Sequence, residues 1–197
     1  LLEWAVVPIV MLFAAMRFPR VVRLEQPDTG SITKWQCIQG FFIGVFSQAI
    51  LVPLLYLPVV FFVDDLDVSG PARELTERAH GIGIFLLVLV VVVGAPVVEE
   101  IFFRGFALRA FQDRWSPTPA LIASSLLFGL VHFQPLQFPA LVLFGLIAGK
   151  IAQRDGHLGR AIWAHAGFNA YTVFVLVCLC KKINYIDRFE RLLLLIG

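Results

Sequence analysis

The sequence predicts an all-α, polytopic membrane protein: a transmembrane helical bundle of about six to seven helices. Three observations predict it. Of 197 residues, 59% are hydrophobic and only 15% charged, where a soluble domain carries about 25% charged residues. The mean hydropathy is +0.84. The apolar residues also fall in long runs separated by short polar stretches, the pattern of spans and loops, and the run 84–98 carries no charge at all. The basic residues are scattered between these runs and form no stripe, so the partner that composition requires is a lipid bilayer and no nucleic acid is expected. Cys37, Cys178 and Cys180 lie in apolar stretches and read as small buried hydrophobes, neither a disulfide framework nor a metal knuckle.

Three regions organise the chain. Residues 1–80 hold N-terminal transmembrane helices and a polar loop. Leu1 stands where a full chain would begin with Met, so the apolar run 4–16 is expected to be a first helix already under way, short for a span and closed by Arg17, Pro19 and Arg20. A polar linker at 25–34 leads to the second span, 37–63, in which Pro53 and Pro58 predict kinks and Gly40-x-x-x-Gly44 would allow a neighbouring helix to approach closely. The stretch 64–80 is the most hydrophilic and reads as a solvated loop.

Residues 81–180 form the core. The third span starts near Gly81, and its helix is expected to continue to about Arg114, longer than one membrane thickness. Ser116 and Pro117 then restart the chain as a helix cap and first turn. The fourth span covers 120–133; a short turn at 134–137 follows. The fifth covers 138–151, with Gly145-x-x-x-Gly149, and the sixth covers 161–180. Residues 181–197 read as an interfacial tail or the start of a further helix. Lys and Arg are more numerous on the side of the loops at 17–34, 104–114 and 150–160 than on the side of 73–78 and 181–191. That places the first side in the cytoplasm or its organellar equivalent. Which membrane holds the protein does not follow from the residues.

Inside this apolar frame stand three polar sets: Glu99-Glu100-x-x-x-Arg104, Phe128-x-x-x-His132 and His165-x-x-x-Asn169. A charge at the centre of a membrane helix costs about 2.5 to 3.5 kcal/mol, so a cluster of ionisable groups there needs a use. Spacing four puts Glu100 and Arg104 on one helix face, where they can neutralise each other, and turns Glu99 by roughly 100° to face something else. The same spacing puts His165 and Asn169 on one face. Each set has a structural alternative: the Glu–Arg pair as a clamp, and the histidines and Asn169 as glue between helices. His80 and His157 lie in polar loops and receive no role.

The ordered trio, spanning 97–169, resembles the CPBP intramembrane proteases, also called the Abi family, which include the CAAX prenyl endopeptidases. The resemblance implies an all-helical intramembrane endopeptidase acting on a peptide or lipidated protein. It maps the catalytic glutamate onto Glu99 and the other site residues onto Glu100, Arg104, His132, His165 and Asn169. The chemistry is coherent. Hydrolysis needs a base for water and donors for the oxyanion: Glu99 would be the base, His132 would orient the water or take part in proton transfer, and His165 with Asn169 would face the carbonyl oxygen. Glu100 with Arg104 would pin the helix so that Glu99 points inward. No cofactor is favoured. Zinc held by Glu99, His132 and His165 is the alternative, but Asn is a poor zinc ligand and the His-Glu-x-x-His spacing is absent.

One feature strains this picture. His132 lies about 21 Å of helical rise beyond Thr118, while His165 lies only a few residues past Arg160, so straight spans would hold them at different depths. Two rival readings stand beside the enzyme. One is a catalytically silent scaffold or subunit bound to a membrane-complex partner. The other is a transporter or proton channel using the same groups as a relay.

Overall fold

The computed structural model describes residues 32–60 and 81–196, with isolated positions 62, 74 and 79 between them; side chains are described as far as Cys178. The first predicted span, most of the polar linker, nearly all of the loop at 64–80, His80 and the side chains of Cys180 and the tail lie outside the described residues. Among the described residues every element is helical, as the composition predicts. They form α1 (Lys34–Val59), α2 (Ile82–Gln112), α3 (Pro117–Leu130), α4 (Phe138–Asp155) and α5 (Gly159–Ile196). Three stretches are long and apolar enough to cross a membrane: α1 with 26 residues, α2 with 31, and α5 as far as Cys178 with 20. With exposed Phe42, Leu54, Phe85, Leu89 and Phe174 along their outer faces, the protein is an integral, multi-pass membrane protein.

Local sequence explains the helix ends. Thr33 caps α1 through a capping box: Gln36 N donates to Thr33 Oγ1 at 3.2 Å, and Thr33 N donates to Gln36 Oε1 at 2.9 Å. Gly156 stops α4 at φ 73, a left-handed conformation in which its N–H reaches Ala152 O at 3.0 Å. α3 begins with Pro117 in its first turn, after Ser116. The tail expected at 181–197 is a helical continuation of α5 as far as Ile196.

Prolines do widen the long helices. α1 contains a π turn at Ser47–Leu51, two residues before Pro53, and α2 contains one at Leu89–Gly94, two residues before Pro96. A proline lacks the N–H that the preceding turn would use and its ring crowds that turn, so a wider turn relieves both. The third π turn, Ile101–Ala107, has no proline behind it and directly follows the two glutamates.

Small residues set the packing. α1 lies parallel to α5 at very short range: a Cβ on Gly40 would stand 2.5 Å from Arg160 O, and one on Gly44 only 1.8 Å from Ala164 O. Gly167 is its counterpart on α5, where a Cβ would meet Phe41 O at 2.1 Å. The close approach suggested by Gly40-x-x-x-Gly44 is therefore real. Gly145 and Gly149 do the same for α4 against Ser125 and Leu121 of α3. Gly44→Ala should lower stability by about 1–3 kcal/mol or more, because the new methyl meets backbone that cannot move aside. Gly83→Ala, whose Cβ would meet only Ala79 Cβ at 4.0 Å, should be neutral or stabilising. Thermal melting of the two variants in detergent checks this, and equal melting shifts would refute the close-packing account.

Matched helix lengths settle the depth problem. Below Glu99, α2 descends to Gln112, about 20 Å, and α3 rises by about the same amount from Pro117 to Leu130. His132 is thereby returned to the level of Glu99. α5 starts higher. Leu158, just before it, packs at Gly105, six residues below Glu99, and His165 is seven residues further on. The two histidines meet because their helices begin at different heights.

Candidate active site

The centre of the bundle is an aromatic and small-residue core in which Phe103, Phe128, Phe144, Ala148 and Ala161 are fully or almost fully buried. Into this core α2 brings Glu100 and Arg104, at 0% and 2% exposure. The ion pair that spacing four predicted is present, with Arg104 Nη1 donating to Glu100 Oε1 at 2.7 Å. A buried guanidinium needs more than one partner, and two others supply it. Arg104 Nη2 donates to Gly145 O on α4 at 3.3 Å, and the guanidinium lies 4.5 Å from the centroid of the Phe128 ring.

Glu100 also organises His165. Its Oε1 stands 2.8 Å from His165 Nδ1. An ionised carboxylate only accepts, so the Nδ1 of His165 carries a hydrogen and its Nε2 is aimed elsewhere. That direction is Glu99, whose Oε2 lies 3.8 Å away. His165 is 3% exposed and packs edge-on to Phe128 and tilted against Phe144, with centroids 5.7 Å and 4.9 Å away. The second carboxylate oxygen of Glu100 is buried without a hydrogen-bond partner.

His132 arrives from the opposite side. The sequence placed it on the fourth span, but α3 ends at Leu130 and His132 sits in the turn beyond it. Two local features stop the helix: Phe133 is left-handed at φ 51, and Pro135 disfavours helical backbone at Gln134. His132 Nδ1 lies 2.7 Å from Phe128 O, so it is the hydrogen-bearing nitrogen in the neutral ring and Nε2 presents a lone pair. That Nε2 stands 3.9 Å from the same Glu99 Oε2. Glu99 itself is 18% exposed, the most accessible of the acidic and basic groups on α2 at this level. Glu99, His132 and His165 thus converge on one point that opens outward.

Asn169 takes a place that spacing alone did not specify. Its Nδ2 donates to Val91 O at 2.8 Å, within the π turn that precedes Pro96, so the amide ties α5 to α2 above the histidines. One N–H of the amide is engaged there and the other remains for a further acceptor.

The residues missed by sequence reasoning are the aromatic and backbone supports. Phe128 touches Arg104, His132 and His165 at once. It lay in the quoted motif, but among 19 phenylalanines nothing marked it as different. Gly145 O and Val91 O are backbone acceptors and leave no trace in side-chain chemistry. Ser124, whose Oγ donates to Phe103 O at 2.9 Å, is of the same kind.

The zinc arrangement can be tested on these distances. A carboxylate oxygen and an imidazole nitrogen sharing one tetrahedral zinc stand about 3.3 Å apart. The observed 3.8 and 3.9 Å are wider, and among the described residues no group of three His, Cys, Asp or Glu side chains is disposed to hold a metal ion. Two partners bridged by one hydrogen-bonded water stand about 4.5 Å apart, so the observed spacing falls between the zinc and the water values.

Residues 81–171 match the family model described as "Type II CAAX prenyl endopeptidase Rce1-like", and all six candidate residues fall inside that stretch. The chain is also 26% identical over 173 residues to a Bacillus subtilis protein described as "Putative membrane peptidase YdiL". That match covers 85% of this chain and 66% of the relative, so the chain spans just under two thirds of the relative's length. No solved structure gives a significant match.

Proposed function

We propose that this chain, whose residues 81–171 match the Rce1-like family model, is an intramembrane endopeptidase that cuts a peptide bond near a substrate C-terminus with a glutamate-activated water. The observation that carries the reading is the convergence of His132 Nε2 and His165 Nε2 on Glu99 Oε2, at 3.9 and 3.8 Å. A water between Glu99 and His132 has an acceptor for each of its hydrogens, which leaves a lone pair free to attack. As its oxygen adds to the carbonyl carbon, one proton passes to Glu99. The oxyanion is then held by His165 Nε2–H. In this scheme the ring carries hydrogens on both nitrogens as it donates, with Nδ1 held by Glu100 Oε1 at 2.8 Å. When the C–N bond breaks, Glu99 returns its proton to the leaving nitrogen, and the carboxylic acid formed passes the second water proton to that amine, so the products are a carboxylate and an ammonium. The free N–H of Asn169 is the second donor to the oxyanion in this scheme.

The substrate that the family description points to is a protein with a prenylated CAAX-type tail, reaching Glu99 from the open side of the cluster. The test is cleavage of matched prenylated and unprenylated peptides by the purified protein, with a chelator arm. Cleavage of the prenylated peptide that survives chelation is the expected result. His132→Ala should cut kcat by about 10²-fold or more through loss of the water's second acceptor, with folding retained because the side chain is partly exposed. Loss of activity on chelation, restored by zinc, would overturn the metal-free mechanism. No cleavage of any peptide by well-folded protein would move the reading to a scaffold.

A further inference from the structure

We infer that Tyr56, on α1 and outside the family-matched stretch, is a positioning residue for His132; the inference rests on the peptidase reading above. No helix carries the His132 imidazole. It belongs to the seven residues between α3 and α4, which fold as two successive turns. In the first, His132 N and Phe133 N donate to Gly129 O and Leu130 O at 3.4 and 3.1 Å. In the second, Gln137 N and Phe138 N both donate to Gln134 O, at 3.0 and 2.9 Å. Between the two turns stands Phe133, left-handed at φ 51 and 84% exposed, a conformation that a non-glycine side chain adopts at a cost.

This connection needs an outside brace, because it borders open space. A cavity of about 590 Å³ lies against it, lined by Gly129, Val131, Phe133, Pro135 and Phe138 among others. A turn that pivoted at Phe133 would meet little resistance there. Tyr56 supplies the brace: its hydroxyl donates to Leu136 O in the second turn, a contact that spans 80 positions of sequence.

The brace is anchored to the other half of the site. One turn before Tyr56, Val52 packs against the apolar core, and further back Gly40 and Gly44 seat α1 on α5. α5 carries His165. Tyr56 therefore references the loop of His132 to the same helix pair that holds His165, and so keeps both imidazoles within reach of one Glu99 oxygen. A displacement of the order of 1 Å in a catalytic group can cost about 10²-fold in rate, so a brace on this loop acts on turnover.

The experiment is Tyr56→Phe in the full chain, purified in detergent, with kcat and KM for the prenylated peptide and hydrogen exchange of the backbone amides. Phe keeps the ring, and the second turn keeps its own hydrogen bonds to Gln134 O, so folding is retained. The expected result is a kcat about tenfold lower with KM within about twofold. Exchange should quicken in 131–137 while α1 and α5 stay as in the parent. An unchanged kcat overturns the inference, as does a fall in kcat with unchanged exchange in 131–137, or one matched by faster exchange throughout α1 and α5. The peptidase reading fails separately, if the parent protein cleaves no faster than Glu99→Gln. Exchange alone then decides: a loop unaltered by Tyr56→Phe means that the hydroxyl braces nothing.

Discussion

Glu99→Gln is expected to lower kcat by about 10³-fold or more while leaving the protein folded. The substitution keeps the shape of the side chain and removes its ability to take a proton. It also turns an acceptor into a group with an NH₂ that competes with water for the Nε2 lone pair of His132. Little stability should be lost. Glu99 is 18% exposed, and its nearest ionisable partners stand 3.8 and 3.9 Å away, beyond a direct hydrogen bond. Rates per folded molecule, with the folded fraction read by size exclusion and melting, provide the check. A Gln variant within tenfold of the parent would mean that the base lies elsewhere. The scaffold reading makes the opposite forecast, since a protein that works by binding should keep its cellular function when Glu99 becomes Gln.

Arg104→Ala is expected to have the largest effect on stability, about 3–5 kcal/mol, because it strands a carboxylate that is 0% exposed. Glu100 would then keep only His165 as partner, with one of its oxygens already unpartnered. Arg104→Lys should recover only part of the loss. An ammonium can reach Glu100 Oε1, but it cannot also span to Gly145 O or lie flat on Phe128. Removing both charges in Glu100→Leu/Arg104→Met should cost less than Arg104→Met alone, because no buried charge is left uncompensated. Equilibrium unfolding in detergent of the single and double variants measures the coupling. Additive effects would contradict the clamp account. The double variant should still lose activity, since His165 would no longer be held through Nδ1.

Much of this site was legible before any coordinates. The cost of charge in an apolar run marked Glu99, Glu100 and Arg104, and spacing four predicted the Glu100–Arg104 pair that is observed. Gly40-x-x-x-Gly44 predicted a close helix contact, though not that its partner would be α5. His132 was placed on a span and stands in a turn, because a single left-handed residue and a proline two positions on end α3 earlier than its hydropathy suggests. Asn169 was assigned to the substrate and is also a tie to Val91 O.

The division follows the range of the forces. Helix class, the membrane as solvent and the faces of single helices are set by interactions within a few residues of one another and by the cost of each side chain in lipid, so the sequence by itself determined them. The meeting of Glu99, His132 and His165 spans 66 positions, and tertiary structure alone decided it. It depends on where each helix starts, on a hairpin whose two arms match in length, and on glycines that let α1 and α4 approach their neighbours. Those heights and distances are sums over many packing contacts, each too small and too nonlocal to be read from any one stretch of chain.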